Sequence, residues 1–168
     1  MKRVLRRASR QHWVVSREQA LGDGMTERAI SYALGKAEWR RIYPGVYLVN
    51  QAPLTWKGPV DGAVLWAGPG AVASRRSAAV LLGLKHGLKD VVEVTVPRRV
   101  NSRHGISVRY DPALPRRPKV FADSIPVTYV EDGSDLCDVL LFSAASEVVV
   151  DAVRRKLVTL VDLGKSPR

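Results

Sequence analysis

Apolar and polar positions alternate with two different periods along this chain, and the changes of period mark its elements. Ser16 with Gln19 three residues on is a capping-box pattern, so a short helix is predicted to start at Arg17. Gly22 and Gly24 then favour a turn over helix continuation. Thr26 is a natural N-cap for a second helix over about 27–37. There Ile30, Ala33, Leu34 and Ala37 fall at i, i+3, i+4 and i+7, one buried stripe. The opposite face carries Arg28, Ser31, Tyr32 and Lys36, with Gly35 leaving the backbone bare. Such hydrogen-bonding groups on a small, knobbly helix face suit a DNA major groove.

The period then changes to two. Trp39–Tyr43 and Val46–Val49 are β-prone runs on either side of Pro44-Gly45, the i+1/i+2 signature of a type II turn. Arg40 and Arg41 lie on the first strand of this hairpin, where a wing would meet phosphates. Helix, turn, helix and basic hairpin, in that order, predict a winged helix-turn-helix over 1–50. The plainer reading is a small structural or protein-binding domain with Tyr32 and Trp39 as packing residues.

Prolines and a glycine in QAPLTWKGP break both periods and predict a boundary, with a mixed α/β domain over 54–168. Its expected elements are a helix over 59–67 and a second beginning near Ser74 and closed by Gly83. A strand over 91–96 ends at Pro97, and 106–110 is expected as its antiparallel partner across an Arg-rich loop. A short strand over 125–130 and helices over 134–142 and 143–157 complete the set. The fold class is therefore α+β, with a sheet of about three strands in the second part. The apolar stretch 157–163 wants a partner, and the C-terminal part is short.

Charge sharpens the picture. The chain of 168 residues carries a net charge of +11. Residues 1–41 hold 10 Lys/Arg against 4 acids and residues 98–120 hold 7 against 1, so the excess sits in two blocks. Lys2, Arg3, Arg6, Arg7 and Arg10 lead into the first block, and Arg6 and Arg7 are candidate phosphate contacts. Clustered cations are a footprint for polyphosphate, and double-stranded DNA is the expected partner. The basic start has no apolar segment after it and so does not read as a secretory signal, and no apolar run is long enough for a membrane span. A lone cysteine, Cys137, excludes an internal disulfide framework and suits a reducing cytoplasm.

Catalytic chemistry finds little support. A restriction-like nuclease needs an acid-x-Lys pair, and no lysine here has Asp or Glu two residues before it. Asp135 and Asp138 follow Gly133-Ser134, but metal-binding aspartates of nucleotidyltransferases lie one residue apart on a strand. His12, His86 and His104 are far apart and lack partners at zinc-ligand spacing. Gly68-Pro69-Gly70 lacks the lysine of a phosphate loop. Asp151 and Arg155 are an ordinary i, i+4 helix pair. No catalytic residue, metal or cofactor is expected.

The stretch VVSREQALGDGMTERAISYALGKAEWRRIYPGVYLV resembles the N-terminal winged-helix domain of AbiEi-family antitoxins. LWAGPGAVASRRSAAVLLGL, VEVTVPRR and IPVT resemble the segment that follows it there, so the resemblance spans most of 12–130. Gly45-Val46-Tyr47 after the wing and Ser74-x-x-Ser77-Ala78-Ala79 are its most specific pieces. The turn Leu21–Thr26 is longer than that family's usual pattern. The resemblance implies a type IV toxin–antitoxin system, in which the antitoxin represses its own operon by binding inverted repeats. It also implies a functional link to a nucleotidyltransferase toxin, countered through the C-terminal domain. Arg28, Ser31, Tyr32 and Lys36 would then lie on the recognition helix, and Arg40 and Arg41 on the wing. The alternative is a DNA-targeting module related to Vsr-type endonuclease proteins but lacking the nuclease domain.

Overall fold

The first helix is one that periodicity did not announce. In a computed structural model describing residues 1–49, 51–83, 91–116, 120–128 and 154–155, α1 spans Lys2–Ala8. Its Met1 cap makes no side-chain hydrogen bond and its first turn holds no acid, so no capping signal marks it. What holds it is burial: Val4 and Ala8 are at most 1% exposed. The chain then runs β1 (Val14–Ser16), α2 (Arg17–Gly22), α3 (Glu27–Gly35), β2 (Arg40–Tyr43) and β3 (Val46–Leu48).

Local chemistry fixes α2 and α3 where the pattern predicts. Ser16 Oγ accepts from the Gln19 amide at 3.1 Å, and Gln19 Oε1 accepts from the Ser16 amide at 3.0 Å, a complete capping box. Thr26 Oγ1 accepts from the Ala29 amide at 3.1 Å. Helix α3 stops at Gly35, before the end of the expected stripe. Ala37 lies outside it, exposed and with φ of 55°. The Glu38 amide donates to the Ala33 carbonyl and the Ala37 amide to that of Leu34, a Schellman closure whose left-handed residue is alanine rather than glycine. Ala37→Gly removes the left-handed penalty of about 1 kcal/mol and should raise stability by that order. Chemical denaturation followed by tryptophan emission checks it; a loss of stability would refute the strain.

The three strands form an antiparallel sheet in the order β1-β3-β2. One face meets α1, α2 and α3 through Val4, Ala8, Val15, Ala20, Ile30, Ala33, Trp39, Tyr47 and Val49. The Trp39 and Tyr47 rings lie 5.8 Å apart at this centre. The other face carries Val14, Val46 and Leu48, packed with Ile42, Tyr43, Leu65 and Trp66. The last two belong to α4 (Lys57–Ala67), which lies against β1, β2 and β3. Gly62 permits that approach, because a Cβ there would lie 2.6 Å from Ile42 Cδ1. Helix α4, assigned on sequence to the second part, thus packs on the first sheet, and the chain divides into units at Met1–Pro69 and Gly70–Arg168. Pro53 and Gly58 break the hydrophobic period without ending the first core.

The second unit begins with β4 (Val72–Ala73) and α5 (Arg75–Leu81), followed by β5 (Val92–Val96) and β6 (Ile106–Tyr110). A 3-10 turn, Leu114–Arg116, leads to β7 (Val120–Ala122) and β8 (Ile125–Val127). The sheet order is β6-β5-β4-β8-β7, five strands where about three were expected. A correction concerns direction: β5 and β6 pair parallel, Val92 opposite Ile106 and Val96 opposite Tyr110. Residues 97–105 run back along the sheet, turning at Gly105 (φ 79°) where Arg103 and Ile106 exchange backbone hydrogen bonds. Ser74 begins α5 without capping it; the Glu93 carboxylate on β5 accepts from the Arg76 amide at 2.9 Å instead. Arg155 donates to the Leu82 and Gly83 carbonyls at 2.7 and 3.1 Å, where α5 ends. The helices expected over 134–142 and 143–157, the stretch 157–163, Cys137, His86 and the pair Asp135 and Asp138 lie outside the described residues, Arg154 and Arg155 excepted.

Candidate nucleic-acid interface

Helix α3 is amphipathic in the sense the sequence requires. Ile30 and Ala33 are 2% and 3% exposed and tie one side into the core. Arg28, Ser31 and Tyr32 are exposed on the other, and Lys36, the C-cap just past the end of α3, is exposed beside Tyr32, so the four predicted side chains still gather on one open side. Tyr32 is 62% exposed, which removes the packing role considered for it, and Lys36 Nζ stands 5.7 Å from its ring centre. Trp39, at 3% exposure, is a core residue. A Cβ on Gly35 would meet nothing within 4 Å, so the helix backbone is approachable there. Nine residues at 1.5 Å rise give a rod of about 13 Å, comparable to the width of a major groove. Arg28 and Tyr32 also line an open groove of about 600 Å³, together with Ala29, Ala33, Met1 and Met25.

The hairpin places its two arginines differently. Arg41 pairs with Tyr47, which faces the α1–α3 side, and Arg40 with Leu48, which faces α4. Both are exposed, but they point to opposite sides of the sheet, and Arg41 shares the side of α3. A bulge between Arg41 and Tyr43 shifts the register by one, and both Ile42 and Tyr43 turn toward α4.

Arg6 and Arg7, adjacent in sequence, have separate fates. Arg6 is exposed. Arg7 makes a two-pronged contact with Asp23, Nε to Oδ2 at 2.7 Å and Nη2 to Oδ1 at 2.9 Å. Asp23 is 8% exposed, in the turn between α2 and α3, so this fork ties α1 to that turn. The Arg7 hydrogen bonds, helped by the charges of Arg7 and Arg3, hold the Asp23 carboxyl below its ordinary range. Arg7 is therefore a brace for the helical pair. Across the same turn, Arg17 at the start of α2 pairs with Glu27 at the start of α3. Arg7→Gln leaves Asp23 buried without its charged partner and should lower stability by about 1–2 kcal/mol at pH 7. The contribution is present above the unfolded carboxyl pKa and fades as pH falls through the depressed native one. Thermal melts at pH 7 and pH 3 check it: a difference from wild type that does not shrink at pH 3 would count against the brace.

Sequence reasoning passed over two further features. Arg3 and Arg10 join Arg6 and Arg7 around a shallow pocket of about 300 Å³ closed by Gln11 and Asp23. Asp61, on α4, is 4% exposed, and its Oδ2 has no hydrogen-bond partner. The signal for the first was the spacing 3, 6, 10 alongside apolar Val4, Leu5 and Ala8. For the second it was an acid in the apolar run VDGAVLWA. Among the described residues no group of three or more His, Cys, Asp or Glu is placed to hold a metal ion, and no helix is long and apolar enough to cross a membrane. No protein-family model matches this chain, and no curated protein matches it.

Proposed function

We propose that residues 1–69 form a winged helix-turn-helix that binds double-stranded DNA, and that the protein is a transcriptional autoregulator. The observation that carries this reading is the open face of α3. It presents Arg28, Ser31, Tyr32 and Lys36 beyond a braced turn, with Arg41 on the same side of the adjoining hairpin. The element order α1-β1-α2-α3-β2-β3 over a three-stranded sheet supports the winged-helix assignment. In this role α3 reads base edges, while Arg41, Arg3 and Arg6 neutralise phosphates. The resemblance to AbiEi-family antitoxins extends the reading to a cytoplasmic type IV antitoxin, functionally linked to a nucleotidyltransferase toxin and acting at inverted repeats.

The test is fluorescence-anisotropy binding to a duplex from the gene's own upstream region and to a scrambled duplex, across several salt concentrations. A preference of about a thousandfold for the upstream duplex at physiological salt is the expected result. Equal affinities that collapse together as salt rises would leave only a nonspecific basic module.

A further inference from the structure

Helix α1 crowds like charges, although Arg6 and Arg7 in its last turn suit the helix dipole. Arg3, Arg6 and Arg7 stand on α1 at i, i+3 and i+4, and Arg10 follows in the turn after it, so like charges crowd together, a destabilising arrangement. Lys2 and Arg3 occupy the helix start, where the backbone dipole disfavours cations, and the first turn holds no acid. One carboxylate, Asp23, lines the pocket these arginines surround, and both of its oxygens are taken by Arg7. Gln11 closes the side and is itself fixed by its amide pairing with Gln19, at 3.1 and 3.3 Å. The result is a concave site with a rigid, charge-balanced floor and three exposed guanidinium groups, Arg3, Arg6 and Arg10, at its rim.

We propose that this pocket is a phosphate-binding site, in which Arg3, Arg6 and Arg10 grip a phosphate or pyrophosphate group above the Arg7–Asp23 brace. Guanidinium forks match phosphate oxygens two at a time, and a bound anion cancels the repulsion along α1. The phosphate comes from one of two sources, a duplex backbone or a free polyphosphate. The duplex source rests on the DNA-binding reading above; the free source does not.

Two arms of one experiment separate them. Full-length wild type, the triple variant Arg3→Gln/Arg6→Gln/Arg10→Gln and a charge-matched control, Arg98→Gln/Arg99→Gln/Arg103→Gln, are melted with sodium pyrophosphate or with sodium chloride at equal ionic strength. Pyrophosphate at about ten times its dissociation constant should raise the melting temperature of wild type and control by about 5 °C, and leave the pocket variant unmoved. Without pyrophosphate the pocket variant should melt within a few degrees of wild type, since the repulsion relieved offsets the lost attraction of Arg3 for Asp23 and of Arg6 for the helix dipole. In the second arm, the salt slope of scrambled-duplex binding should fall by about 0.9 in the pocket variant if one backbone phosphate fills the site. A slope that holds while the pyrophosphate shift is lost assigns the site to free polyphosphate. If pyrophosphate shifts all three proteins alike and the slope also holds, the proposal is overturned. Should the triple variant unfold, Arg6→Gln and Arg10→Gln singly must each diminish the pyrophosphate shift, or the proposal fails.

Discussion

Asp61→Asn should raise the melting temperature of the first unit, by an amount that grows from pH 5 to pH 8. The carboxyl sits on α4 at 4% exposure, with Oδ2 unpartnered, and burial pushes its pKa up to about 7. The native state therefore holds the proton to higher pH than the unfolded chain, whose carboxyl titrates near 3.8. Stability is fully present below the unfolded pKa and is lost as pH rises through the native one. At 1.4 kcal/mol per pH unit the whole loss is about 4 kcal/mol, and roughly two thirds of it accrues above pH 5. Asparagine keeps the shape and stays neutral throughout, so the gain at pH 8 should exceed that at pH 5 by about 2–3 kcal/mol. For a unit of this size that is about 10 °C or more. All four tryptophans, Trp13, Trp39, Trp56 and Trp66, lie within residues 1–69, so their emission follows this unit alone. Parallel plots of melting temperature against pH for the two proteins would refute the buried, unpaired carboxyl.

Arg28→Ala should cost recognition rather than general affinity. Its side chain lies one turn before Tyr32 on the exposed face of α3, the position from which an arginine can fork onto a guanine edge. A bidentate base contact discriminates by about 1–3 kcal/mol, so binding to the upstream duplex should weaken about 5- to 150-fold. Scrambled duplex should lose much less, about what one phosphate contact contributes. Arg6→Ala is the counterpart, expected to weaken both duplexes by the same factor and lower the salt slope by about 0.9. Were Arg28→Ala to weaken both duplexes equally, α3 would be a backbone contact and the reading element would have to lie elsewhere.

Much of the first unit was legible because its signals are local. Ser16 with Gln19 and Thr26 with Ala29 satisfy helix ends within four residues, so no tertiary knowledge is needed to place α2 and α3. The exposed quartet on α3 follows from the same periodicity that buries Ile30 and Ala33. What escaped depends on contacts distant in sequence. Helix α1 is held by Val4 and Ala8, which join the core cluster of Val15, Ala20 and Tyr47, and no acid in its first turn marks it. Arg7 could not be told from Arg6 without Asp23, 16 residues away. Alternation in 91–96 and 106–110 identifies strands but carries no information on direction. Nine residues of linker can either turn directly or travel back along a strand of about 17 Å. Likewise Ser74 has the chemistry of a cap, yet Glu93 from β5 reaches the helix first.

The bulge in β2 has a consequence for association. β2 is an edge strand, and unpaired edges invite another chain to extend the sheet. Here the extra residue at Ile42 breaks the regular spacing of hydrogen-bonding groups after two residues, and Arg40 and Arg41 put charge along that short run. On the other side β1 is three residues long. Neither border offers a length of regular backbone on which a neighbour could zip. If two copies bind adjacent half-sites, as the proposed function requires, they would have to cooperate through the DNA or through side-chain contacts, and not by sharing a continuous sheet across this unit.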